Sequence, residues 1–384
     1  MMVSMRTWCL SLHARYKCQH AGACCQTWTV PAEPHVIQIV EARAIRREGV
    51  QGPLFVEPAT ARDAALWNVA RHADGSCVFF DRDRGRLCAI HREAGADALP
   101  SACRHFPRQI LRDGRGTFIS LSHFCPTAAA LLPARDALQL VDAHPPLRLS
   151  EPVEGMDATD ALPPLVRPGM LSDLEGYGAW EQACVATFAR ADLSYQAALD
   201  LVAAATEDIR GWRPGGVTLS ERVRAAFRDA RPDAGADAGA QARAIETVAA
   251  LCSGKLPEDV MRDYPSAETA RLDDGARLEE AWQQRVAPAF ARFDVAMKNY
   301  LAARVFANWI AYQGRGLRSI VEWLRTCAAL VRHHTVVRAR DGGSAPDTAD
   351  FLEAVRMADL LLLHVVDTQA LAWRFARLEG PDPR

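Results

Sequence analysis

Apolar residues recur at helical spacing through the second half of the chain. Two stretches repeat such residues at steps of three and four, as one face of a helix requires: Phe290, Phe293, Met297, Tyr300, Leu301 and Val305, then Leu317, Ile320, Val321, Leu324 and Val331. Asp347-Thr-Ala-Asp350 precedes the apolar Phe351-Leu352, which predicts a capped start for a last long helix running to about Leu378. These patterns predict a helical bundle.

The first 130 residues instead carry short, turn-rich segments. Between Cys77 and His91, two apolar runs flank an Asp/Arg/Gly turn, which predicts a β-hairpin. With a four-residue loop, Cys88 would lie opposite Phe79 and on the same face as Cys77, so the two thiols could converge on one metal. A register slip of one residue would remove this alignment.

A stretch rich in proline and acidic residues separates these two parts. Residues 143–169 hold several Pro-containing turns, which suit a connector better than a packed element. We therefore predict a cysteine-cluster metal-binding domain at 1–135, a Pro-rich linker at 136–170 and an α-helical domain at 171–384. The expected fold class is mainly α, with a small cysteine-rich domain containing a short β-hairpin, followed by a helical bundle.

The charge and hydrophobicity of the chain limit the kinds of molecule that it is expected to bind. The chain has 384 residues with 45 Lys and Arg against 47 Asp and Glu, so no excess of positive charge draws it to nucleic acid or anionic lipid. The stretch nearest to a membrane span, residues 360–366, is interrupted by His364 and is far shorter than the about 18 apolar residues that a span needs. The first residues lack the apolar stretch and cleavage site of a secretory signal, so we expect a cytoplasmic protein.

Cysteines are concentrated at the amino-terminal end. Eight of the 11 lie in the first 125 residues, and in a reducing compartment such clustering indicates metal ligands rather than disulfides. Seven are candidate thiolate ligands, and Cys9 is a possible eighth: Cys18, Cys24, Cys25, Cys77, Cys88, Cys103 and Cys125. Cys184, Cys252 and Cys327 are expected to be ordinary buried residues.

Seven thiolates exceed the four that one structural zinc ion or one four-iron cluster takes from a protein. Two metals, or one cluster with spare thiols, would account for them. Thiolates select zinc, copper(I) or iron–sulfur centres, and spacing does not separate these. Four histidines lie near proposed ligands, and any one could complete a mixed site: His20, His91, His105 and His123. Arg104 and Arg108 could offset the charge of a thiolate cluster or hold an anionic ligand.

These motifs resemble a family of cysteine-cluster proteins with the signature CxxCxxCC, which chelate zinc or iron. Cys18 with Cys24-Cys25, the Cys77/Cys88 segment, Cys103-x-x-Phe-Pro-Arg and Cys125-Pro match in order. Within that group the chain is most similar to the flagellin lysine-N-methylases. The features are the segment from Leu121 to Pro126, the Asn299-Tyr300-Leu301 start of a long helical region, and a terminal helix carrying His364.

The resemblance implies methyl transfer from S-adenosylmethionine to lysine side chains of a protein such as flagellin, with an iron–sulfur cluster or zinc as cofactor. Ala21 stands where the signature has a further cysteine, and Cys9 is one candidate to replace it. No catalytic or methyl-donor residue can be named from the sequence. Two other functions remain open: a non-enzymatic structural metal-binding and interaction protein, and a redox or metal-sensing module.

Overall fold

The computed structural model describes residues 6–22, 25–26, 30–46, 49–57, 67–81, 87–143, 155–232, 240–252 and 272–378. The described residues up to 171 form short strands and helices joined by turns and loops. The strands are β1 (Thr7–Leu10), β2 (Pro31–Ala32), β3 (Phe55–Val56), β4 (Trp67–Val69), β5 (Arg108–Asp113), β6 (Gly116–Leu121), β7 (Leu140–Asp142), β8 (Met156–Asp157), β9 (Leu165–Arg167) and β10 (Met170–Leu171). The helices among them are α1 (Ser11–Ala14), α2 (Pro34–Ala42), α3 (Ala89–Ala94), α4 (Ser101–His105) and α5 (Pro126–Ala129).

In the described residues after 171, helices dominate, and most of them are longer. They are α6 (Leu174–Ala189), α7 (Tyr195–Arg210), α8 (Leu219–Asp229), α9 (Ala240–Cys252), α10 (Leu272–Ala281), α11 (Ala287–Phe290), α12 (Asp294–Val305), α13 (Leu317–Gly342), α14 (Thr348–Leu360) and α15 (Thr368–Leu378). The expected fold class, mainly α with a small β-containing amino-terminal region, is confirmed.

A five-stranded mixed sheet, in the order β7-β1-β6-β5-β8, forms the centre of the amino-terminal region. β5 and β6 pair antiparallel from Arg108 opposite Leu121 to Asp113 opposite Gly116, and β1 runs parallel to β6. Gly116 has φ +139°, and a Cβ there would lie 2.6 Å from the carbonyl oxygen of Arg6. Only glycine allows the hairpin to approach β1 so closely.

The predicted helical faces are buried. Phe293, Tyr300, Leu301, Leu317 and Leu324 belong to one large apolar core. Leu111 and Phe118 of the sheet belong to the same core, so the sheet packs directly on the helices. The domain limits at residues 135 and 170 remain a prediction, and the connector contributes β7 and β8 to the edges of the sheet.

Asp347 caps the start of α14, as the sequence indicates. Its side chain accepts a hydrogen bond from the backbone of Asp350, and the Asp350 carboxylate accepts one from the backbone of Asp347. The expectation of one continuous helix to about Leu378 is wrong. The chain forms a π-helical turn over Leu361–Val365, and Val366 is extended before α15 begins.

No helix in the described ranges has both the length and the apolar character needed to cross a membrane.

Candidate metal centre

The segment after α1 wraps around an aromatic ring. Gly22 has φ +77°, and a Cβ at this position would lie 2.3 Å from the ring of Phe80, so only glycine fits. The backbone N–H of Cys25 donates to the Gly22 carbonyl at 3.0 Å, and the N–H of Cys77 donates to the Cys25 carbonyl at 2.8 Å. This turn places Cys25 beside Cys77. Cys24 lies outside the described residues.

The Cys77/Cys88 segment pairs in a different register from the one expected. Cys88 forms an isolated antiparallel bridge with Phe80, not with Phe79, and Cys77 bridges Arg71. The cause is a turn, since the N–H of Phe80 donates to the carbonyl of Cys77 at 3.0 Å. A turn breaks the strict alternation of an extended strand on which the expected alignment depended.

Cys103 and Cys125 lie on two further segments of the chain. Cys103 lies on α4, and Cys125 is the residue immediately before α5. The backbone N–H of Ser122 donates to the Pro107 carbonyl at 2.7 Å, which holds the two segments together. The Cys125 Sγ lies 3.8 Å from the hydroxyl of Tyr16, a buried residue that the sequence did not single out.

All these described cysteines border one cavity of about 880 Å³. Its lining includes six of the seven candidate ligands, two histidines and three arginines: Cys18, Cys25, Cys77, Cys88, Cys103, Cys125, His20, His91, Arg15, Arg104 and Arg108. Their positions in the sequence span more than 100 residues. The fold therefore gathers thiols from four separate segments into one space.

Partly buried thiols and arginine side chains determine the electrostatics of the cavity. Burial raises the pKa of the Cys125 thiol above its ordinary value, although backbone N–H groups and Tyr16 oppose the shift. Burial lowers the pKa of Arg108, against the influence of Tyr16 and Cys18. The Nε atoms of Arg104 and Arg108 have no hydrogen-bond partner among the described residues. Positive charge is thus available to offset thiolates.

Cys9 and the later cysteines lie elsewhere. Cys9 is fully buried in β1, opposite Ile119 and Val141, and burial raises its pKa to about 11. It does not line the cavity, so the structure gives no support to Cys9 as the replacement for a thiol at residue 21. The other three are buried in the large apolar core, as expected: Cys184, Cys252 and Cys327.

Two of the four neighbouring histidines are separated from the cavity. His105 is buried and its Nδ1 lies 3.0 Å from the carbonyl oxygen of Ser101. His123 is fully buried with its Nε2 3.2 Å from the Nε2 of His13. His20 and His91 do line the cavity, and their ring centres are 6.0 Å apart. Burial and the neighbouring His20 lower the pKa of His91, which favours its neutral form.

The donor atoms at the cavity are of the type that zinc and iron–sulfur clusters use. Zinc takes thiolate and neutral imidazole ligands, and iron–sulfur clusters are held mainly by thiolates. In the described positions, however, no three His, Cys, Asp or Glu side chains lie close enough to hold one ion. A metal held by the described donors alone would require their side chains to move closer together, as in sites where metal binding and local folding are coupled.

A second buried polar cluster was not predicted. Asp359 on α14 accepts hydrogen bonds from the hydroxyl of Tyr300 at 2.8 Å and from the backbone N–H of His123 at 2.5 Å. Arg304 lies 3.6 Å from the same carboxylate. Burial opposes ionisation of Asp359, but Arg304 and His123 outweigh it and hold the pKa of Asp359 below its usual value. The partners are up to 236 residues apart, so no local sequence signal could have revealed this cluster.

Comparison with known proteins finds a family model that matches the cysteine-rich region. No curated protein and no solved structure matches the chain. Residues 17–126, which contain all seven candidate ligands, match the family model CxxCxxCC, described as a putative zinc- or iron-chelating domain.

Proposed function

We propose that this protein binds zinc or iron through the cysteine thiolates that border the amino-terminal cavity. The observation that carries the proposal is the convergence of six cysteines, from four segments, on one space. Cys184 and Cys327, which only pack within the large apolar core, do not line this cavity. The match of residues 17–126 to a zinc- or iron-chelating domain supports the same function.

The proposed ligands are Cys18, Cys24, Cys25, Cys77, Cys88, Cys103 and Cys125. A bound metal would stabilise a region with little regular structure, because the binding free energy contributes directly to folding. Arg104 and Arg108 would offset the negative charge that several thiolates bring to a partly buried site.

Methyl transfer from S-adenosylmethionine to a protein lysine is the finer proposal, and it rests on the resemblance to flagellin lysine-N-methylases. The cavity has room for a small molecule beside a metal. The cavity volume of about 880 Å³ lies within the range of about 300–1,000 Å³ typical of small-molecule pockets. Isothermal titration calorimetry, with S-adenosylmethionine added to the metal-loaded protein, tests this proposal. Saturable binding would support it, and no binding would favour the structural metal-binding alternative.

Substitution of single cysteines tests the metal-binding proposal. Cys88→Ala should lower the zinc or iron content of the purified protein, because it removes a thiolate from the cavity. Cys184→Ala is the matched control. It also removes one thiol, but this thiol is buried in the apolar core and does not line the cavity. Metal content is measured by mass spectrometry after gel filtration. Equal metal content in the two variants would contradict the proposed site.

A further inference from the structure

The chain departs from the CxxCxxCC signature at one position. Cys18, Cys24 and Cys25 occupy three of its four cysteine positions, and Ala21 occupies the fourth. An alanine has no donor atom, so a metal bound by this segment must take another ligand. The inference below rests on the proposed metal-binding function.

His20, the neighbour of Ala21, already contacts the first cysteine. Its Nδ1 lies 3.9 Å from the Sγ of Cys18, and its backbone N–H donates to the same sulfur at 3.4 Å. In a tetrahedral zinc site, with bonds of about 2.3 Å to sulfur and 2.0–2.1 Å to nitrogen, two such ligand atoms are about 3.6 Å apart. The observed spacing is therefore close to that of two ligands on one ion.

The backbone of His20 adopts an unusual conformation. His20 has φ +53°, a left-handed conformation that is uncommon for a residue with a side chain. Such conformations persist where surrounding structure holds them, often at ligand sites.

His91 brings a second imidazole to the same place. Its ring centre lies 6.0 Å from that of His20, and both side chains line the cavity. His91 is in the first turn of α3 and Cys88 is the residue immediately before this helix, so an imidazole and a thiol both lie at its amino-terminal end. The other two candidate histidines do not line the cavity: His105 and His123.

We propose that His20 takes the ligand position lost at Ala21 and that, with Cys18 and His91, it forms a mixed thiolate–imidazole zinc site. A further thiol of the cavity would complete the tetrahedron. Because no three described donors are yet within reach of one ion, zinc binding has to draw His91 toward the Cys18–His20 pair.

The test uses cobalt(II) as a spectroscopic substitute for zinc on the full chain, freed of metal with a chelator under anaerobic, reducing conditions. The visible spectrum of tetrahedral cobalt reports thiolate and imidazole ligands, and competition with zinc gives the affinity. We expect a mixed sulfur–nitrogen spectrum for the unsubstituted protein. His20→Ala should change that spectrum and weaken zinc binding by more than the about 10–100-fold typical of losing an outer-sphere partner.

Two further variants sharpen the result. Ala21→Cys in the His20→Ala background restores the signature cysteine, and it should recover zinc affinity with a spectrum shifted toward sulfur ligation. His35→Ala is the control, because His35 is an exposed histidine on α2 and does not line the cavity. Its zinc affinity should equal that of the unsubstituted protein, and circular dichroism verifies that all variants retain their helices.

The outcomes separate this inference from the proposed function. If the unsubstituted protein binds neither zinc nor cobalt, both fail. If it binds cobalt and His20→Ala leaves the spectrum and the zinc affinity unchanged, His20 is not a ligand and only this inference is overturned. Failure of Ala21→Cys to recover the affinity would likewise overturn it.

Discussion

Asp359 is a fully buried carboxylate that links the two parts of the chain. It accepts hydrogen bonds from Tyr300 of the helical part and from the backbone of His123 of the amino-terminal part. Arg304 beside it also donates to the carbonyl oxygen of Leu121 in β6 at 2.5 Å. Since each charge in such a cluster is desolvated, the cluster is stable only while all its partners are present.

We expect Asp359→Ala to lower the free energy of unfolding by about 3–5 kcal/mol, because it leaves Arg304 buried without its charge partner. Urea unfolding followed by circular dichroism measures this change. Asp192→Ala is the control, since Asp192 forms an exposed ion pair with Arg190 and should leave stability almost unchanged. Equal stability of the two variants would show that the cluster does not hold the two parts together.

Single residues also show what could be predicted from the sequence. The candidate cysteines could be found because their number near one end of the chain exceeds what packing explains. The partners of Asp359 could not, because the contacts join positions that only tertiary folding brings together. His20 and His91 could be listed beside His105 and His123, and only the fold separates the pair that lines the cavity from the pair that does not.

At the scale of helices and strands, the sequence predicted a feature correctly where it depends on residues close together in the chain. The start of α14 follows from Asp347 and Asp350, three residues apart, whose side chains satisfy each other's backbone N–H groups. The register of Cys88 depended instead on an extended strand, and the turn at Cys77–Phe80 shifted it by one residue. The end of the last long helix was also missed, because Val366 turns to an extended conformation.

Asp347→Ala should lower the free energy of unfolding by about 1 kcal/mol, the usual value for loss of a helix cap. The cause would be the loss of the hydrogen bond from the Asp350 backbone N–H, which measures 2.9 Å. Ser344→Ala, an exposed change three residues earlier, is the control and should be close to neutral. Urea denaturation of both variants measures the difference, and a neutral Asp347→Ala would mean that α14 does not need its cap.

At the scale of the molecule, the cavity lies beside apolar clusters that are separate from the main core. Cys77, Cys88 and Cys103 pack against one small cluster that includes Val36 and Phe79. Cys125 belongs to another small cluster, which lies on the sheet. A metal bound by thiolates of both groups would join these clusters, and small cores of this kind gain the most from such a crosslink.

Metal and acid-labile sulfide analysis of the full chain, purified without oxygen and without added metal, tests the central claim most directly. We predict zinc or iron in stoichiometric amount after gel filtration, because six thiols border one cavity. A visible spectrum of the same sample distinguishes the metals: iron with sulfide and broad visible absorption indicates a cluster, and colourless protein with zinc indicates a thiolate–imidazole site. A protein that retains neither zinc nor iron would contradict the account.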